Sequence, residues 1–196
     1  MVSIERWNAR LLACALVGLT LPGALEGQVC FRGHPSGRCD GFVVLEFTSG
    51  AQLNQQPGLQ AIGSSGPLYI SWETGYLHNI GAQSALGAAV RLAADDDGHR
   101  VAGVLRYRQW LGPSWSLDLS PGVLVEGSMN FTTLRFPSMT AGAAVNWGDR
   151  VALMVGVDQL RQSEGTHWTG YAGLRFGSWL APLAFLGLVA LAGATY

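Results

Sequence analysis

The sequence predicts an all-β protein, an antiparallel up-and-down transmembrane β-barrel of about eight strands followed by a hydrophobic C-terminal segment. Three observations carry this reading. Most of the chain alternates with period two, one face apolar and the other small or polar, which is the signature of a strand. Charged residues make up only 13% of the 196 residues, against roughly 25% in a soluble domain. Trp and Tyr cluster near the ends of the alternating runs (Trp72, Tyr76, Tyr107, Trp115, Trp147, Trp168), where an aromatic girdle would lie.

The clearest stretch is His99 to Gly127. Two runs fold about Gly112-Pro113-Ser114, a turn signal. Val101, Gly103, Leu105 and Tyr107 share one face of the first run; Ala102, Val104, Arg106 and Arg108 share the other. In the second run Trp115, Leu117, Leu119, Val123 and Val125 oppose Ser116, Asp118, Ser120, Gly122 and Glu126. Folding the hairpin places Asp118 opposite Arg108 and Ser120 opposite Arg106, with Glu73 or Asp158 expected to serve Arg106 from another strand.

In chain order, residues 1–27 have the layout of a secretory signal peptide. Arg6 and Arg10 precede an apolar run from Leu11 to Leu25 that is too short for a comfortable membrane span. Leu11-Leu12-Ala13-Cys14 resembles a lipobox, but no apolar run precedes it. Residues 28–40 carry Cys30 and Cys39 about a short turn-rich loop, and a disulfide is the expectation in an oxidising compartment. No further Cys and no convergent His spacing supports a metal site instead.

The barrel is predicted over residues 41–177. Gly41 to Ser49 is the first strand, with Phe42, Val44, Glu46 and Thr48 on one face; Gly50 to Gly66 is a loop rich in Gly, Gln and Ser. Pro67 to Asn79 sets Leu68, Ile70, Trp72 and Tyr76 against Tyr69, Ser71, Glu73 and Gly75. Gln83 to Ala94 sets Leu86, Ala88, Val90 and Leu92 against Gly87, Ala89 and Arg91. Asp95-Asp96-Asp97-Gly98 reads as a solvated turn; it lacks the alternating ligand spacing and terminal Glu of a calcium loop. Asn130 to Trp147 holds a strand interrupted at Pro137, because proline cannot donate to a ladder. Arg150 to Gln162 and Thr166 to Phe176 complete the even count, with turns at Gly148-Asp149 and Ser163-Glu164-Gly165. Residues 178–196 carry no charge and no polarity alternation, and are expected to be helical and long enough to span a bilayer core.

Alternation alone does not say which face is wet. The polar faces are mostly Ser, Thr, Gly and Ala, which suit the crowded interior of a small barrel better than a soluble surface. The chain so read resembles the small bacterial outer-membrane β-barrels of the OmpA, OmpX and OmpW type, over Gly41 to Phe176 and in architecture alone. The resemblance implies an outer-membrane location with membrane lipid as partner. The hydrophobic tail after the last strand departs from that pattern.

Little points to catalysis. The sequence lacks G-x-S-x-G, HExxH, CxxC and phosphate-loop motifs. His34, His78, His99 and His167 are scattered; His78 and His167 are the two to test as members of a lipid-modifying site. A formal net charge of −1 argues against nucleic-acid binding, and no cofactor is implied. All 12 basic residues are Arg, which tolerates buried ion pairing better than Lys. The candidate site is therefore a lumen charge network of Glu46, Glu73, Asp118, Glu126 and Asp158 with Arg91, Arg106, Arg108 and Arg175. If paired, it plugs the barrel and makes the protein a structural or surface-interaction barrel. The alternatives are a small channel or binder for hydrophobic molecules, or a lipid-modifying enzyme.

Overall fold

Period-two segments pair into one antiparallel sheet in the computed structural model, which describes residues 39–53, 68–95, 98–129, 132–148, 150–163, 165–178 and 180–193. The expected signal peptide (residues 1–27), Cys30 and most of the first loop lie outside the described residues. The strands are β1 (Gly41–Gln52), β2 (Leu68–Gly81), β3 (Ser84–Asp95), β4 (Gly98–Trp110), β5 (Trp115–Leu119), β6 (Gly122–Met129), β7 (Thr132–Thr133), β8 (Ser138–Trp147), β9 (Val151–Gln162) and β10 (Gly165–Gly177). Each long strand pairs with its sequence neighbours, and β1 pairs with both β2 and β10, so the sheet closes.

β5 and β6 are two halves of one barrel strand. Pro121 interrupts them because it has no N–H, yet pairing carries through the break. Ser120 N donates to Gly142 O at 2.8 Å, and Leu105 N donates to Pro121 O at 2.8 Å. β7 only extends the β6 end, through Ser128 and Met129. The result is an eight-stranded, up-and-down, closed antiparallel barrel.

Its stagger follows from the register. Starting at Gly41 and stepping through His78, Leu86, Tyr107, Leu119, Ala143, Val155 and Ala172, the path returns to β1 at Ala51, ten residues on from 41. A stagger of this size tilts the strands and leaves an interior that side chains can fill. Both barrel termini lie at one end, here the terminal end, with the turns after β2, β4 and β8. The turns after β1, β3, β6 and β9 lie at the far end.

The faces divide as the alternation predicts. Inward positions are buried and polar, small or tightly packed; outward positions are large and exposed, including Leu105, Val125, Leu153, Val155 and Leu174. Trp115 and Trp147 face each other across β5 and β8 at the terminal end, both exposed. At that end Phe42 and Trp110 meet edge-on inside the lumen at 5.9 Å, with Leu77 and Ala85 in the same apolar cluster.

One helix, α1 (Leu180–Gly193), follows β10. It lies on the outer wall, where Phe185 packs edge-on against Phe47 at 5.6 Å and Trp72 at 6.1 Å. That contact explains why outward-facing Phe47 is buried while its outward neighbours on other strands are not. The tail is helical as expected, but α1 has 14 residues, and no helix among the described residues is long and apolar enough to cross a membrane. The expectation of a spanning helix is corrected accordingly.

Candidate functional site

The lumen charges come from the even-numbered face of β1, β4, β5 and β9 and the odd-numbered face of β2, β3 and β10, which the pleat turns inward together. The register then decides who meets whom. Arg108 lies directly opposite Asp118, as the hairpin fold requires. Its Nε and Nη2 donate to Asp118 Oδ1 at 2.7 Å and Oδ2 at 2.8 Å, a bidentate pair. The guanidinium also lies 5.6 Å from the centroid of Phe42.

Glu46 and Glu73 also lie directly opposite each other, on β1 and β2. Facing like charges repel unless a cation intervenes. Arg106 supplies it from β4, three strands round the wall. Its Nη1 donates to Glu46 Oε2 at 2.7 Å and to Glu73 Oε1, while Nη2 donates to Asp118 Oδ2. Arg106 is 0% exposed, and its side chain crosses the lumen. Arg175 Nη1 adds a third positive charge, 3.4 Å from Glu46 Oε2 and 3.5 Å from Asp118 Oδ2.

Arg91 extends the cluster towards the far end. Its Nε donates to Glu73 Oε2 at 2.7 Å, Nη2 to Ser120 Oγ at 2.9 Å, and Nη1 to Tyr171 OH at 3.2 Å. Tyr171 OH in turn donates to Asp158 Oδ1 at 3.4 Å. Asp158 pairs with Arg100 Nε at 3.1 Å, and Arg100 Nη2 also donates to Asp95. Tyr171 stacks on Tyr69 with centroids 4.2 Å apart, and its ring covers Gly156, where a Cβ would come within 2.4 Å of it.

Eight of the nine predicted lumen charges are thus brought together. The ninth is not. Glu126 is exposed, because the register shifts between Val101 and Ala102, whose partners are Glu126 and Leu124. This bulge leaves Val125 unpaired and reverses the parity beyond it, so Glu126 faces outward. Two members were missed: Arg100 and Asp95. Arg100 shares the even face with Arg106 and Arg108, so parity identifies it once β4 is begun at Gly98. The sequence places Asp95 in a solvated turn, whereas it closes β3 on the odd, inward face with Arg91.

Among the described residues the interior therefore pairs five arginines (91, 100, 106, 108, 175) with five carboxylates (46, 73, 95, 118, 158), which sum to a formal charge of zero. The three described histidines form no common site. His78 is exposed at the terminal end and His167 lies at the far end, while His99 Nδ1 lies 3.1 Å from Ser128 Oγ. Among the described residues no group of His, Cys, Asp and Glu is placed to hold a metal. Cys39 is described but Cys30 is not, so their pairing stays an expectation.

No protein-family model matches this chain, and no curated protein does. Among solved structures it is similar to a chain described as "De novo design of transmembrane beta-barrels". The two share 12% sequence identity with a TM-score of 0.37, over 69% of this chain and 94% of the other.

Proposed function

We propose that this protein is a small outer-membrane β-barrel of the OmpA, OmpX and OmpW type, with a plugged lumen and a structural or surface-interaction role. The observation that carries the reading is the side chain of Arg106, which crosses the lumen to carboxylates on two other strands while itself fully buried. An open pore of this width would leave such groups in water. The exterior supports a lipid setting: exposed Leu, Val, Met and Trp occupy the outward positions of nearly every strand, far more contiguous apolar surface than a soluble monomer tolerates. A cleaved leader over residues 1–27 and a disulfide between Cys30 and Cys39 fit export to that compartment.

Two measurements test the proposal. The outer-membrane fraction should contain a band whose gel mobility changes on boiling, as a stable barrel in detergent requires. Purified protein in planar bilayers should show no steady conductance. Co-migration of boiled and unboiled samples, with fractionation to the inner membrane, overturns the barrel-in-outer-membrane reading; a steady open pore overturns the plug.

A further inference from the structure

Two arginines at the far end lie outside the lumen network. Arg161 is the outward-facing residue next to the last of β9, and Arg135 lies in the segment between β7 and β8. Local hydrogen bonds hold the two together. Arg135 N donates to Arg161 O at 2.7 Å. Ser138 Oγ donates to Arg135 O and accepts from Arg161 N, both at 2.9 Å. Both side chains are exposed, and among the described residues neither guanidinium has an ion-pair or hydrogen-bond partner, exposed Glu126 included. Every described arginine inside the barrel is matched by a carboxylate, whereas this pair has none among the described residues.

The arginines line a cleft of about 450 Å³ with Phe136, Gln162, Ser163, Gly165 and Thr166. Directly below it the wall turns apolar: Met139 and Trp168, both exposed, flank Gln159 from β8 and β10. Phe136 is 71% exposed at the cleft itself. Two guanidinium forks and two hydroxyls therefore sit immediately above a lipid-facing belt. Guanidinium matches phosphate geometry, and the apolar wall beneath matches an acyl chain. We propose that this cleft binds the phosphate headgroup of an anionic membrane lipid whose acyl chains lie along β8, β9 and β10. The inference rests on the membrane reading above, because a barrel outside a bilayer would meet no such lipid.

The test uses the full chain folded in detergent micelles, with phosphatidic acid and phosphatidylcholine of identical acyl chains as probes. Native mass spectrometry should show phosphatidic acid retained about tenfold more than phosphatidylcholine, the scale of one or two charge-assisted hydrogen bonds. The Arg135→Gln, Arg161→Gln double variant should lose that preference while its heat-modifiable gel mobility shows it still folded. Arg150→Gln, which removes an exposed charge at the terminal end, should keep the preference. Millimolar inorganic phosphate should not displace the lipid, since it lacks the acyl contact. Four results overturn the proposal: no preference in the unaltered protein, a preference retained in the double variant, a preference lost in Arg150→Gln, or displacement by inorganic phosphate. Insertion into phosphatidylcholine vesicles, followed by protease protection, is read separately. Failure there removes the membrane reading whatever the micelle result.

Discussion

Each carboxylate of the central cluster serves more than one arginine, and this sharing sets what single substitutions do. Asp118 accepts from Arg108 and Arg106, and Glu46 accepts from Arg106 and Arg108. Removing one member leaves its partners buried without full compensation, which costs more than the pair contributes. Arg108→Ala is expected to destabilise the barrel by about 3 kcal/mol in urea unfolding in detergent. Arg106→Ala should cost more than Arg108→Ala, because Glu46 and Glu73 then lose the one guanidinium that bridges them. The double change Arg108→Ala with Asp118→Ala should cost less than the sum of the two single changes, by about 1 to 3 kcal/mol. Strict additivity would show that the two side chains do not interact in the folded barrel. The Arg108–Asp118 pair was legible in the sequence, since a hairpin turn and strict alternation fix both partner and face. The contacts of Arg106 with Glu46, and of Arg91 with Tyr171, were not. They depend on which strands face each other across the lumen, and that is set by closure and stagger.

Local irregularities decide which parts of each strand the alternation describes. β1, β3, β9 and β10 keep strict parity, and β2 keeps it up to the irregularity between Asn79 and Gly81, so their inward faces could be read directly. β6 does not, because the extra residue at Val125 flips the strand beyond it, and nothing in the local sequence marks the bulge. The placement of Glu126 outside the network is directly testable. Glu126→Ala should change stability by no more than about 0.5 kcal/mol, as surface substitutions do, whereas Glu73→Ala should cost several times that. Equal losses from the two would place Glu126 in the lumen. The β9–β10 pair carries a second device. Tyr171 lies opposite Gly156 and its ring occupies the space a side chain would need. Gly156→Val should therefore displace the ring, break its bonds to Arg91 and Asp158, and lower the unfolding midpoint, while Gly103→Val, where nothing lies within 4 Å, should not. A lowering of similar size from both substitutions would remove the packing argument. The C-terminal segment was legible as a helix from its uniform apolarity. Its docking on Phe47 and Trp72 was not, because a helix without a polar face gives no sign of which side packs.

At the scale of the whole barrel, eight strands place both ends of the wall on one side, and the connections differ between the two sides. The terminal end has short turns after β2, β4 and β8, while the far end carries the connection from Gln52 to Leu68, the longest in the barrel. In outer-membrane barrels short turns face the periplasm and long loops face the exterior. The far end should then face outward, which also places the Arg135–Arg161 cleft at the outer leaflet. Single cysteines at two exposed turn positions decide this. Ser163→Cys, after β9, should react with a membrane-impermeant maleimide in intact cells. Ser114→Cys, after β4, should react only once the envelope is opened, with the unsubstituted protein giving the background of its native cysteines. Labelling of Ser114→Cys but not Ser163→Cys in intact cells would invert the barrel and put the arginine cleft on the inner leaflet. Labelling of both in intact cells would mean that the barrel does not separate two compartments, and the membrane reading would fall with it.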